Sequence, residues 1–279
     1  MYLTQKANTG RFNTFYCQGG DPRADAIIFL HGSGPGATAE SNWRNILPAL
    51  TDRFHVIAPD MYGFGNTDHP EDPPKSFWEW SQARVDQVLE LMDHLGVEKA
   101  GLVGNSMGGY VAMNLVMAAP ERFTRVVLMG SAGGEMTTTP EVSRMIGFYR
   151  NPTMETLRNL TRWYVYDDRA LGEELETVLK TRYEMIMRPE VRRSYLSNMF
   201  PTAPGEGLIP PSALRRMEQP FLILHGVEDR FVPLSSSMSL LQHLPNAQAH
   251  FFKGCGHWIQ IEKRDSFLKL LIRFFEDDL

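Results

Sequence analysis

The stretch Leu102-Val103-Gly104-Asn105-Ser106-Met107-Gly108-Gly109 decides the fold. An apolar run leads into Gly-x-Ser-x-Gly-Gly, and a helical pattern follows at once. That order describes a strained strand-to-helix turn that lifts a serine hydroxyl above a parallel sheet. Glycine suits positions 104 and 108 because side chains there would collide with the turn and the neighbouring strand. Five loosely specified positions recur by chance, so the motif gains its weight from the strand–turn–helix context and from the partners that follow it.

Outward from the turn, short apolar runs alternate with helical patterns, as in a doubly wound, mostly parallel α/β sheet. Ala26–Leu30, His55–Ala58, Ala100–Val103 and Val126–Met129 read as strands, and so do Phe221–Leu224 and Ala249–Phe252. Arg11–Cys17 reads as an antiparallel edge strand or hairpin. Val85, Val88, Leu89, Met92 and Leu95 recur at helical spacing and stop before Gly96. Residues 134–212 break the rhythm with several helical patterns, many aromatics and no good strand. The expectation is a helical lid, 134–212, inserted in a core formed by 1–133 and 213–279.

The bulk composition narrows the classes. A net charge of -5 offers no basic field for nucleic acid or an anionic membrane. No apolar run reaches membrane-spanning length, and Met1-Tyr2-Leu3-Thr4-Gln5-Lys6 lacks the layout of a signal peptide, so a cytoplasmic location is expected. Two cysteines, Cys17 and Cys255, make neither a disulfide framework nor a cysteine-based metal site, and no metal is expected. A homo-oligomer, dimer or higher, is left open.

A serine hydroxyl is a poor nucleophile until a positioned base takes its proton and a third group holds that base. Both follow Ser106 in the order serine, acid, histidine. Asp229 lies in His225-Gly226-Val227-Glu228-Asp229-Arg230-Phe231-Val232-Pro233, just after a buried strand, with Glu228 as a rival acid. His257 lies in Lys253-Gly254-Cys255-Gly256-His257-Trp258, after the last strand. A turn-capping aspartate and a surface histidine are the plain alternatives. All three groups fall at carboxyl ends of strands, where open α/β sheets gather their ligands. The oxyanion donors are expected to be the N–H of Met107 and one from the glycine-rich His31-Gly32-Ser33-Gly34-Pro35-Gly36. No Lys-Ser/Thr follows that loop, so it is not a phosphate loop of the Walker type.

Together these residues resemble the meta-cleavage product hydrolases, the carbon–carbon bond hydrolases of aromatic degradation. The resemblance rests on His31–Gly36 with Ser41-Asn42-Trp43-Arg44, on Gly104–Gly109 with its Asn105, on Asp229–Pro233, and on Gly254–Trp258. Ala58-Pro59-Asp60-Met61-Tyr62-Gly63-Phe64-Gly65 also fits, though it is common across the wider superfamily. The resemblance implies the α/β-hydrolase fold, a mostly parallel doubly wound sheet with an inserted helical lid. It also implies no cofactor and a small-molecule dienoate as substrate.

Implied with it are Ser106, His257 and Asp229 as catalysts and backbone N–H groups of Ser33 and Met107 as the oxyanion hole. Gly32, Gly34, Asn42, Asn105, Arg182, Phe231 and Trp258 would line the substrate site. Arg182 is reached from spacing as well: it interrupts an apolar stripe of Leu171, Leu175, Val178, Leu179 and Ile186, where a charge is costly without a partner. A planar guanidinium is suited to gripping a carboxylate. Snorkelling to water is the alternative, and Arg188, Arg192 and Arg193 are nearby rivals. The implied reaction first moves a proton to C5 of a 2-hydroxy-6-oxo-hexa-2,4-dienoate and then cleaves C5–C6. An ordinary carboxylesterase or lactonase is the competing reading, and a ligand receptor on this fold is another. Phe148, Tyr149, Trp163, Tyr164, Tyr166 and the lid methionines suggest a roomy apolar pocket, with packing of the lid as the equal alternative and aryl or alkyl preference open.

Overall fold

A computed structural model describes residues 1–173, 175–199 and 206–279. Its eight-stranded sheet runs in the order β1-β2-β4-β3-β5-β6-β7-β8. The strands are β1 Tyr2–Asn8, β2 Asn13–Gly19, β3 Ala26–Leu30, β4 His55–Pro59, β5 Ala100–Asn105, β6 Phe123–Met129, β7 Phe221–Gly226 and β8 Ala247–Phe252. β1 and β2 form an antiparallel hairpin that joins the sheet through an antiparallel β2–β4 pairing; every pairing beyond is parallel.

Sequence explains the layering. β3, β4 and β7 are buried along their whole length, as continuous apolar runs must be when helices cover both faces. Within β3, Ile28 and Leu30 point into one core with α2 (Phe77–His94) and α3 (Met107–Ala118). Ile27 and Phe29 point into the other, against Trp43 of α1 (Ala39–Trp43) and Phe267, Leu271 and Phe274 of α11 (Arg264–Phe275). The two-residue period of a strand thus divides one run between two layers.

Between β6 and β7 the chain leaves the sheet for α4 (Pro140–Ile146), α5 (Met154–Trp163), α6 (Leu175–Ile186), α7 (Pro189–Met199) and α8 (Pro211–Leu214). These helices bring a third apolar cluster, in which Met145, Phe148, Leu157, Leu160, Tyr164, Leu179 and Ile186 pack with Phe231 from the loop after β7. Of the 134–212 segment, positions 174 and 200–205 lie outside the described residues. α9 (Leu234–His243) and α10 (Ile259–Glu262) complete the helices. Among the described residues, no helix is long and apolar enough to cross a membrane.

Candidate active site

Ser106 caps α3 with φ of 56° and ψ of -116°. Only one other non-glycine residue among those described, Asp277, has a positive φ. Such a conformation costs on the order of 1–3 kcal/mol and persists only where its surroundings enforce it. Here they do. A Cβ at Gly104 would stand 2.5 Å from the backbone of Gly108 and Gly109, and one at Gly108 would stand 2.2 Å from the Leu30 carbonyl oxygen. The motif's glycines let α3 start directly against β5 and β3, which drives the serine up at the carboxyl edge of the sheet.

Asp229 and His257 meet at the same edge. His257 Nδ1 lies 2.6 Å from Asp229 Oδ2, while Asp229 Oδ1 accepts the N–H groups of Phe231 at 2.7 Å and Val232 at 3.0 Å. Such bonds fix the carboxylate and, through it, the imidazole. Glu228, the rival acid, faces away: it accepts from Cys255 N at 3.0 Å and pairs with Lys253 at 3.0 Å. That backbone N–H, more than the lysine, holds its carboxyl below the usual range.

Two neighbours of this pair are given no role by the sequence reading, which sets His225 aside for lack of a matching loop context. His225 stands 3.6 Å from Asp229 Oδ2, bonded to Ser237 Oγ at 2.7 Å and the Val232 carbonyl at 2.9 Å, and burial lowers its pKa. Gly130, at the end of β6, leaves room for the pair: a Cβ there would meet His257 Nδ1 at 3.0 Å and Asp229 Oδ2 at 3.1 Å. A glycine that closes a buried strand was the available signal.

Ser106 and His257 line one cavity with Gly32, Ser33, Gly34, Asn42, Asn105, Arg182, Phe231 and Trp258, so the expected site residues converge; Met107 adjoins it through the elbow. Val142, Met145 and Tyr164 also line the wall, with Ala37, Ser41 and Val232, and none of these six is among the expected site residues. Among the described residues, no acceptor is bonded to the N–H of Ser33 or Met107, which leaves both donors available for developing negative charge. Asn105 donates to the Met129 carbonyl at 3.1 Å, and the buried Nδ2 of Asn42 has no partner among the described residues.

Arg182 comes from α6, where Leu179, Arg182 and Ile186 form the buried face. Only 4% of it is exposed. Its Nε and Nη2 donate to the Pro35 carbonyl at 3.0 and 2.7 Å, and its guanidinium lies 5.6 Å from the Trp258 ring centre. Among the described residues it has no carboxylate partner, and burial lowers its pKa. The glycine loop accommodates it: a Cβ at Gly36 would press 2.7 Å from the Arg182 carbonyl. Its rivals lie elsewhere, with Arg188 on Glu190, Arg192 over Tyr149 and Arg193 on the Pro70 carbonyl.

The expected roomy pocket is corrected. Of the five covering aromatics, Tyr164 alone lines the cavity, while Tyr166 is 55% exposed. The free volume is about 30 Å³, space for a water or two. Cys255, beside the site, is buried, and burial pushes its thiol pKa up, as for a packing residue. A larger cleft of about 580 Å³ at the other end of the strands, around Asp25, His55, Lys99 and Arg125, lacks this combination of groups.

Comparison with known proteins agrees with that geometry. Residues 25–264 match the family described as alpha/beta hydrolase fold. A 2-hydroxymuconate semialdehyde hydrolase of Pseudomonas sp. strain CF600 is 37% identical, over 90% of this chain and 87% of its own. A 2-hydroxy-6-oxo-6-phenylhexa-2,4-dienoate hydrolase of Comamonas testosteroni is 38% identical over 90% and 87%. The solved structure of the enzyme with that activity from Rhodococcus sp. strain RHA1 superposes with a TM-score of 0.94 at 40% identity, covering 99% of both chains. The chain belongs to the alpha/beta hydrolase fold family and, within it, to the meta-cleavage product hydrolases.

Proposed function

We propose that this protein is a cytoplasmic hydrolase that cleaves the C5–C6 bond of 2-hydroxy-6-oxo-hexa-2,4-dienoates, releasing 2-hydroxypenta-2,4-dienoate and a carboxylic acid. Residues 134–212 are read as a lid over the core formed by 1–133 and 213–279. One observation carries the reading: a buried Arg182, without a carboxylate partner among the described residues, shares a cavity with Ser106 and His257. A neutral ester needs no such cation, whereas a dienoate brings the missing anion.

Arg182 and Asn105 hold the 2-hydroxy-carboxylate end while the dienol gains a proton at C5 and loses one at its 2-hydroxyl, becoming a ketone. Ser106 Oγ then attacks the C6 carbonyl as His257, steadied by Asp229, takes its proton. Negative charge on the C6 oxygen falls on the N–H groups of Ser33 and Met107; losing one such donor typically costs about 10²–10³ in rate. The C5–C6 bond breaks, its electron pair passes to the five-carbon fragment, and His257 returns the proton. Water, deprotonated by the same imidazole, then frees the acid from Ser106.

The test is turnover of a dienoate under excess substrate. Loss of the yellow dienolate absorbance should match formation of both products over many cycles. Cleavage of simple esters with no dienoate turnover would favour the esterase reading, and a halt after one equivalent the receptor reading.

A further inference from the structure

Tyr164, at the carboxyl end of α5, holds its ring between two others. Phe231 stacks on one side at 4.1 Å and 15°, and Trp258 on the other at 4.5 Å and 13°. The backbone is tied in too, since Trp258 N donates to the Tyr164 carbonyl at 3.0 Å. Clamped in this way, the ring can aim its hydroxyl in one direction only.

That direction is the glycine loop. A Cβ on Gly34 would lie 2.6 Å from the Tyr164 hydroxyl and 3.3 Å from Arg182 Nη2. The two groups therefore converge on one point above residue 34, inside the cavity that contains Ser106. Buried phenols normally find a good acceptor. This one, 4% exposed, donates among the described residues only to the thioether of Met145 at 3.1 Å, and thioether sulfur is a weak acceptor. The Pro35 carbonyl, next along the loop, already receives two N–H groups of Arg182. The site thus contains a fixed neutral donor, poorly occupied, beside a cation that has no carboxylate partner among the described residues.

We propose that the Tyr164 hydroxyl donates a hydrogen bond to the substrate carboxylate held by Arg182, giving up Met145 for the anion. The inference rests on the dienoate reading above, and it adds a second, uncharged arm to the grip on the acid group. No proton transfers; the phenol stays protonated, because burial raises its pKa. Tyr164 is then both a wall and a ligand contact.

The experiment compares Tyr164→Phe with its parent, both carrying Ser106→Ala so that the dienoate binds without turnover. The ring stack survives the change and the hydroxyl alone is lost. Titration followed by the dienolate absorbance should give a Kd raised about tenfold, as expected for a hydrogen bond to a charged group. The methyl ester of the same dienoate, whose carbonyl is a weaker, uncharged acceptor, should lose clearly less than the acid on the same change. In the Ser106 enzyme, kcat/KM for the acid should fall by a similar factor. Equal Kd values for the acid would overturn the proposal, and so would an equal loss for acid and ester, which would mark a packing role. Should Ser106 enzyme with Tyr164 fail to turn over dienoates at all, the functional reading falls instead.

Discussion

The cavity has two unlike walls. The sheet side is held by main-chain contacts and short polar bonds: the Ser106 turn, the doubly bonded Asp229, the imidazole fixed against it. The helical side offers two polar groups, Arg182 and Tyr164, whose partners are one carbonyl and one thioether. A wall that must place reacting atoms spends its bonding capacity on itself. A wall that must receive a variable ligand keeps capacity in reserve.

The contrast can be broken most sharply at the nucleophile. Ser106→Ala should lower turnover by about 10⁴–10⁶ while leaving dienolate binding intact. A rate near that of the parent would remove the sheet wall from the chemistry. Next in size, Asp229→Asn should cost about 10⁴ in kcat, the scale set by mis-setting the imidazole tautomer. Glu228→Gln, whose carboxylate serves Cys255 and Lys253, should cost less than about tenfold. Reversed losses would exchange the two acids.

On the helical wall, Arg182→Met should reduce kcat/KM by about 10–100-fold, chiefly through KM, the scale of one charge-assisted bond. Arg188→Met, paired with Glu190 away from the cavity, is the control. Matching kinetics for the two variants would place the carboxylate elsewhere.

The smallest expected effect is a cancellation beneath the sheet wall. Burial lowers the His31 pKa to about 4 and raises that of Asp60 to about 6. As pH falls from 6.5 toward 4, the unfolded chain gains a proton on His31 that the native one refuses, so stability drops. As pH falls from 6 toward 3.8, native Asp60 gains a proton that the unfolded chain does not, so stability rises. Each contributes on the order of 3 kcal/mol, with opposite sign. Urea midpoints should therefore change little from these two groups between pH 6 and 4, and Asp60→Asn should expose a steep acid loss. A variant curve parallel to that of the parent would sink this account.

Legibility divides along the same line. The strands and the elbow could be read because each rests on neighbours in sequence: an apolar run, a glycine two residues away, a loop after a strand. β1 was missed because it is a polar edge strand, buried only at Ala7. Asp229 is preferred over Glu228 on its motif alone, and the structure adds which way each of these adjacent carboxylates faces. The helical wall was hardest. Arg182 was found because a charge interrupts an apolar stripe, but Tyr164 looks like Tyr149 or Tyr166 until packing sorts them. For the same reason the roomy pocket and its alternative, plain packing of the lid, could not be separated in sequence: counting aromatics says nothing about whether they enclose space or fill it.

A cavity with about 30 Å³ free is too small for a six-carbon dienoate, so its walls must move apart before one can enter. Dissolved ligand therefore meets only that fraction of molecules whose helices have momentarily parted, and the measured affinity is the intrinsic one scaled down by that fraction. Loosening the Leu157–Leu160–Leu179 seam, which touches no ligand, should tighten apparent binding simply by making the parted form commoner.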